Sequence, residues 1–203
     1  MTEKKKEFII FLGLFVSLFL ITQYHGSTSV NAQDASKGVY LKTNIHVQEH
    51  KNSTECRASY ANWTSPGEGH LVIPVNTLVS MGDFQRGFAI IIQSTKKPIR
   101  FELDRKAAGM GADEYWRLIT SAEPVPIDSL SPTDQKGVKD GKAYVGMTKD
   151  GVRIALGYPA RHKTPSLENN VWYYWTNRFK SIAVEFDETG KVKSVGGKLE
   201  NPK

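Results

Sequence analysis

The sequence has very little cysteine and no apolar run long enough for an ordinary membrane span. Cys56 is the single cysteine among 203 residues, so no internal disulfide can form and core packing has to hold the fold. The longest apolar stretch, residues 8–21, is about 14 residues long, whereas a bilayer-spanning helix needs about 20. These absences exclude a disulfide-stapled scaffold and favour a secretory signal over a membrane helix at the N-terminus.

A lipobox is also absent. The residues before Cys56 read "NSTEC" and lack the apolar and small positions that lipid attachment needs. We therefore expect Cys56 to be a buried or half-buried small apolar side chain.

The N-terminus has the order of residues typical of a secretory signal. Lys4–Lys6 precede the apolar stretch, and the small residues Val30 and Ala32 suit cleavage before Gln33. We expect export to the periplasm or the periplasmic face of a membrane, with a signal peptide over residues 1–32 or an uncleaved N-terminal anchor. Cleavage would remove three lysines and two glutamates and change the net charge from +6 to +5.

The sequence contains no residue pattern typical of an active site or a metal site. His46, His50, Cys56 and His70 are spaced by four, six and fourteen residues, which matches no ordinary zinc pattern. The acids that open the predicted helix "ADEYWRLITS" are better explained by the helix dipole than as a catalytic pair. The sequence predicts no enzyme, no cofactor and no metal; a hydrolase is the weakest alternative.

The positive charge is scattered rather than arranged in a stripe. Local clusters occur only at "TKKP" and "ARHKTP", without the interleaved aromatics that follow a phosphate backbone. We therefore expect no nucleic-acid partner. These clusters are expected to be solvated surface, and otherwise to face anionic lipid headgroups or an acidic protein surface.

A small β-rich unit is predicted in the N-terminal half. Residues 39–46 form one expected strand, and the following polar segment up to Gly69 is expected to be loop with short extended pieces. The segments "LVIPVNTLVSMGD", "GFAIIIQ" and "IRFELD" then alternate as strands do. The prediction is a small antiparallel sheet or barrel over residues 38–105, with an SH3-like barrel as one possibility, followed by a helix over residues 112–121.

Three prolines in "AEPVPIDSLSP" indicate a domain boundary. The predicted organisation is a β-rich unit ending in a helix over residues 33–123, a linker over residues 124–132, and a second domain over residues 133–203. The segment "PTDQKGVKDG" can form a short helix at the start of that second domain.

A second short helix is predicted near residue 150. Thr148 is a good N-cap, and Asp150 suits the positive end of the helix dipole. Val152, Ala155 and Leu156 stand at helical spacing and form one apolar face. A helix this short needs tertiary packing to persist in water.

The end of this helix and the strands after it complete the predicted domain. Gly157 is expected to end the helix as a left-handed cap, and Pro159 prevents its continuation. Gly151 inside the helix costs about 1 kcal/mol relative to alanine. The segments "NVWYYW", "SIAVEF" and "KVKSV" are predicted strands, with "DETG" as a hairpin turn. The expected fold class is α+β, with two helices packed on a three-stranded antiparallel sheet.

Residues 142–195, about a quarter of the chain, resemble the SmpA/OmlA domain of BamE, the small outer-membrane lipoprotein that accompanies the β-barrel assembly machinery. The segments "VGMTKDGVRIALGYP", "NVWYYW" and "IAVEFDETGKVKSV" carry the resemblance in this order. The matching positions all look like residues that make the fold. They are Gly146, Met147, Thr148, Val152, Leu156, Gly157, Pro159, Trp172, Tyr174, Phe186 and Gly190.

The resemblance implies an envelope adaptor that binds partner proteins, including the barrel assembly machinery, and anionic lipid, without doing chemistry. The family pattern places Trp172 and Tyr174 inward. The candidate contacts for a partner or an anion are then the basic residues Arg161, His162 and Lys163, together with Tyr173 and Trp175. The alternative for these residues is that the basic loop is only solvated and that the N-terminal domain covers Tyr173 and Trp175. The alternative is a periplasmic protein that binds a lipid, a cell-wall component or a small ligand through the N-terminal β unit.

Overall fold

The computed structural model describes residues 38–49 and 55–196. The predicted signal peptide, its cleavage site and His50 lie outside these residues. The first eight strands form one sheet. They are β1 Val39–Leu41, β2 Ile45–Glu49, β3 Cys56–Ser59, β4 His70–Ile73, β5 Leu78–Phe84, β6 Gly87–Ile92, β7 Pro98–Glu102 and β8 Thr120–Ser121.

The strand order of this sheet is β4-β2-β3-β7-β6-β5-β1-β8. Strand β6 lies near its centre, and Phe88 and Ile90 are almost fully buried, as the continuous apolar sequence of the strand predicts. Strand β7 buries Ile99 and Phe101 and turns Arg100 outward. The core of the sheet also contains Tyr115 and Ile119 from the helix that follows.

The structure corrects two expectations about this unit. Residues 39–46 do not form one strand, because a bend at residues 42–43 separates β1 from β2. The polar segment that follows contains the short strand β3, which lies between β2 and β7. Strand β3 pairs parallel with β7, so the sheet is not wholly antiparallel.

Four α-helices are present among the described residues: α1 Arg105–Ala108, α2 Ala112–Ile119, α3 Pro132–Asp140 and α4 Lys149–Leu156. The proline-rich segment contains a single 3-10 turn at Ile127–Ser129. Within the described residues, no helix is long and apolar enough to cross a bilayer.

The predicted α+β fold is confirmed. Strands β9 Val171–Trp175, β10 Ser181–Phe186 and β11 Val192–Gly196 form an antiparallel sheet in the order β11-β10-β9. Helices α3 and α4 share one hydrophobic core with this sheet. Its buried members are Val138, Met147, Val152, Ile154, Ala155, Leu156, Trp172, Tyr174, Val184, Phe186 and Val192.

Helix α4 begins where the sequence predicts. The Thr148 hydroxyl accepts a hydrogen bond from the Gly151 N–H at 3.0 Å, which satisfies one of the free donors of the first turn. Gly157 has a φ of 80° and a ψ of −171°. The prediction of a left-handed helical cap is therefore wrong, because the ψ of Gly157 lies outside the left-handed helical region. The positive φ still favours glycine.

Candidate functional site

Strand β9 directs alternate aromatic side chains to opposite faces of the small sheet. Trp172 and Tyr174 are 1% and 0% exposed, which is the predicted inward orientation. The Tyr174 hydroxyl donates to the Gly157 carbonyl at 3.0 Å, and the Trp172 Nε1–H donates to the Leu167 carbonyl at 3.2 Å. Both polar groups are satisfied, so these rings serve the core.

Tyr173 and Trp175, the other two aromatic residues of β9, are half-buried. The edge of their strand is covered by chain from both halves of the protein. The Tyr173 N–H donates to Thr164 Oγ1 at 2.9 Å, and the Thr64 N–H donates to the Trp175 carbonyl at 2.9 Å. This edge of β9 is therefore protected against pairing with another strand.

The basic loop Arg161–Lys163 is exposed at all three positions. The His162 ring lies between two other rings. Its centroid is 6.3 Å from that of Tyr60 and 6.4 Å from that of Trp175. The structure therefore brings His162 and Trp175 together, and it adds Tyr60 from the N-terminal sheet.

Beside this row of rings lie two adjoining cavities of about 520 and 590 Å³. Both are lined by Trp63, Arg86, Glu102 and Arg178. We call the two cavities together the aromatic groove. Its walls come from the N-terminal sheet and from the β9 end of the C-terminal sheet.

The hairpin turn between β9 and β10 presents an apolar side chain that sequence reasoning missed. Phe179 is 86% exposed. The Asn177 side-chain oxygen accepts from the N–H groups of Phe179 at 2.9 Å and Lys180 at 3.0 Å, which fixes the turn. Arg178 and Lys180 flank the exposed ring. No sequence pattern around Phe179 distinguishes it from a core residue.

The C-terminal end of α4 is capped by residues of the N-terminal sheet. The Asn44 side-chain N–H donates to the carbonyls of Ala155 at 3.2 Å and Val138 at 2.7 Å. The Asn44 main-chain N–H donates to the Ile154 carbonyl at 2.8 Å. The last carbonyls of a helix lack partners within the helix. The Asn44 side chain therefore donates hydrogen bonds to the C-terminal ends of both α3 and α4.

Two more buried side chains support the same helix end. His46 Nε2 lies 3.0 Å from the Ala155 carbonyl, and the Asn62 side-chain N–H donates to the Tyr158 carbonyl. The carbonyl can only accept, so His46 carries its proton on Nε2 and its Nδ1 accepts from His70 Nε2 at 3.0 Å. Burial lowers the pKa of His46 to about 4, despite the opposing hydrogen bond to Ala155.

The other residues considered as metal ligands do not gather around one point. Cys56 is 2% exposed, and its Sγ lies 3.9 Å from a carboxylate oxygen of Glu49. His46 and His70 form a nearly coplanar, hydrogen-bonded pair, and His46 binds a helix carbonyl. In the part of the chain that the structure describes, no three His, Cys, Asp or Glu side chains are placed to hold a metal ion.

The C-terminal geometry agrees with one family. Residues 141–196 match the model of the outer membrane protein assembly factor BamE domain. The BamE-like domain predicted at residues 142–195 is confirmed in both position and fold. No curated protein and no solved structure gives a significant match to the chain.

Several positions shared with the BamE family lie in the core of the domain. Met147, Val152, Leu156 and Phe186 are at most 2% exposed. The contacts predicted for a partner or an anion, at residues 161–163, 173 and 175, stay predictions. The division at residues 124–132 also stays a prediction.

Proposed function

We propose that the protein is an exported, non-enzymatic adaptor of the cell envelope that binds a protein of the outer-membrane barrel assembly machinery. The match of residues 141–196 to the BamE domain supports this proposal. A fold by itself does not define a function, so the contact surface has to come from side chains that the fold leaves exposed.

The exposed end of the β9–β10 hairpin is the best candidate for that surface. Its turn is fixed by Asn177, so the Phe179 ring is presented to solvent at little entropic cost. Aromatic and arginine side chains dominate binding energies at protein interfaces, and Arg178 lies next to this ring. The partner would present an apolar pocket with acidic residues at its rim.

The basic loop Arg161–Lys163 supplies a second contact. It lies near Trp175, because the centroids of the His162 and Trp175 rings are 6.4 Å apart. Guanidinium and ammonium groups bind phosphate or carboxylate groups, so this loop would contact an acidic partner surface or anionic lipid beside it.

Photo-crosslinking in cells tests the adaptor proposal. A photoreactive residue is placed at Phe179, at Trp175, or at the exposed Lys96 in the β6–β7 turn as a matched control. We expect mass spectrometry to identify barrel assembly proteins with the probe at Phe179 and not with the probe at Lys96. Failure to capture any of these proteins from positions 179 and 175 would contradict the proposal.

A further inference from the structure

The aromatic groove has the dimensions of a ligand site and extends over two cavities. Small-molecule sites usually enclose about 300–1,000 Å³, and each cavity lies in this range at about 520 and 590 Å³. Because the two cavities share four lining residues, they can hold two linked units of one ligand. Four rings, of Tyr60, Trp63, His162 and Trp175, line the first cavity.

The acidic groups of the groove already have partners. Glu102 pairs with Arg86 at 3.2 Å. Asp104 accepts from the N–H groups of Lys106 at 3.0 Å and Ala107 at 3.1 Å and so caps helix α1. Glu102 is therefore already paired with a cation of the protein, and Asp104 is held by the helix that it caps.

The basic groups of the groove are less well satisfied. Arg178 makes no ion pair within residues 38–49 and 55–196, the part that the structure describes. The Nε–H of Arg57, which lines the second cavity, is buried and has no acceptor among the described residues. A buried donor without an acceptor is costly. Arg57 also pairs with Glu55 through its Nη2 at 3.5 Å, so Arg178 is the guanidinium group that favours a ligand with an anionic oxygen.

We propose that the aromatic groove binds an acidic saccharide, with its sugar rings on the aromatic side chains and its carboxylate or phosphate at Arg178. Sugar rings have an apolar C–H face that packs on an indole or phenol ring, and hydroxyl edges that reach polar side chains. Arginine binds carboxylates and phosphates through paired N–H groups. This binding role goes beyond the adaptor function.

Other ligand classes fit the groove less well. A lipid chain would leave Arg86, Glu102 and Arg178 facing hydrocarbon, which carries a large desolvation cost. A nucleic acid would bring a phosphate with every unit close to the carboxylates of Glu102 and Asp104. A disaccharide with an anion on only one of its two units avoids both the desolvation cost and the approach of a phosphate on every unit to these carboxylates.

The groove also differs from the ligand site that the sequence suggests. Sequence analysis places a cell-wall or small-ligand site in the N-terminal β unit alone. Trp175, His162 and Arg178 belong to the BamE domain. The site therefore depends on both halves of the chain.

Titration of the purified protein with defined disaccharides tests this proposal. The probes are N-acetylglucosaminyl-N-acetylmuramic acid, which carries a carboxylate, a glucosamine disaccharide with a phosphate on one of its two units, and neutral chitobiose as the uncharged control. Two of the four tryptophans line the groove, so ligand binding is read from tryptophan fluorescence and verified by calorimetry. We expect both acidic sugars to bind more tightly than chitobiose.

A pair of arginine variants gives the matched control. Arg178→Gln should weaken binding of the acidic disaccharides about tenfold, the loss of one charged hydrogen bond, and leave chitobiose binding unchanged. Arg105→Gln removes the same charge from an exposed position outside the groove and should have no effect on either. Preference for the muramic acid probe would indicate a cell-wall glycan, and preference for the phosphorylated probe a lipid-linked one.

Three results would overturn the proposal. The first is no binding of either acidic disaccharide at about 1 mM, the weak end of specific affinity. The second is binding that Arg178→Gln leaves unchanged. The third is tighter binding of an acidic peptide, triglutamate, which would assign the groove to a protein partner. The crosslinking at Phe179 tests the adaptor function separately.

Discussion

At the residue scale, the contact between Asp134 and Gly151 explains a glycine that the helix sequence does not favour. Asp134 is 1% exposed, and its carboxylate accepts from the Ser131 hydroxyl at 2.8 Å and the Thr148 N–H at 2.8 Å. A Cβ on Gly151 would lie 2.0 Å from Asp134 Oδ1. The glycine therefore allows α3 and α4 to approach closely around a buried, hydrogen-bonded carboxylate.

Gly151→Ala should destabilise the protein even though alanine favours helix. The added methyl group has to displace the Asp134 carboxylate, and overpacking of this kind costs about 1–3 kcal/mol. Thermal unfolding followed by circular dichroism measures the loss. Gly111→Ala is the matched control, because a Cβ there meets nothing within 4 Å; its cost should stay below about 1 kcal/mol. An equal or smaller loss at Gly151 would contradict the steric explanation.

The buried His46 makes the free energy of unfolding depend on pH. Its pKa is about 4 in the folded protein and close to 6.5 when unfolded, so the unfolded state binds more protons between these values. The free energy of unfolding should therefore fall as the pH falls from 6.5 to 4, by about 3 kcal/mol in total. Burial also lowers the pKa of His70, which acts in the same direction.

Chemical denaturation at a series of pH values measures this dependence. His46→Gln keeps an N–H that can donate to the Ala155 carbonyl but cannot titrate, so its profile should be flatter over the same range. His162→Gln alters an exposed histidine and should follow the unmodified protein. A profile of His46→Gln as steep as that of the unmodified protein would show that other groups carry the pH dependence.

At the element scale, helix α4 is stabilised at its start by a hydroxyl that serves two partners. The Thr148 hydroxyl accepts from Gly151 N–H at 3.0 Å and donates to Asp134 Oδ2 at 3.1 Å. Thr148→Ala should lower the free energy of unfolding by about 1–2 kcal/mol, the range of a lost N-cap. Thr148→Ser keeps the hydroxyl and should lose much less. Equal losses in the two variants, measured by denaturation, would assign the effect to the methyl group instead.

Elements with local signals were predictable from the sequence. Helix α4 could be placed because Thr148 begins it and Gly157 ends it. Each of these residues forms a hydrogen bond with a residue three or four positions away in the sequence. Strand β10 could be placed because Val184 and Phe186 stand two residues apart and are buried, whereas Glu185 between them is more exposed. In each case the residues that determine the element lie within it or next to it.

Elements and contacts that depend on distant partners were not predictable. The segment that contains β3 has a loop-like composition, yet Cys56 and Ala58 are buried because β2 and β7 flank the strand. Asn44 binds carbonyls 94 and 111 residues away, and no local pattern indicates such a role. The exposure of Phe179 also depends on the orientation of the β9–β10 turn, which no local sequence pattern indicates.

At the scale of the whole molecule, the N-terminal sheet and the BamE domain are joined by hydrogen bonds at two places. Asn44, His46 and Asn62 bind the end of α4 and the residues just after it. The N–H groups of Thr64 and Ser65 donate to the carbonyls of Trp175, the last residue of β9, and of Thr176, the residue after it. The aromatic groove lies beside the second of these junctions, so its shape depends on both halves staying together.

Cutting the chain in the proline-rich segment should therefore leave the two halves associated. A protease site inserted between Glu123 and Pro124, which are both exposed, allows the cut to be made after folding. We expect the two fragments to elute together in size-exclusion chromatography, because the contacts of Asn44 and Asn62 do not run through the linker. Asn44→Ala removes two hydrogen bonds to carbonyls of α3 and α4, each contributing about 0.5–1.5 kcal/mol, and should promote separation after cleavage. Fragments that separate without this substitution would show that the two halves are held mainly by the covalent linker.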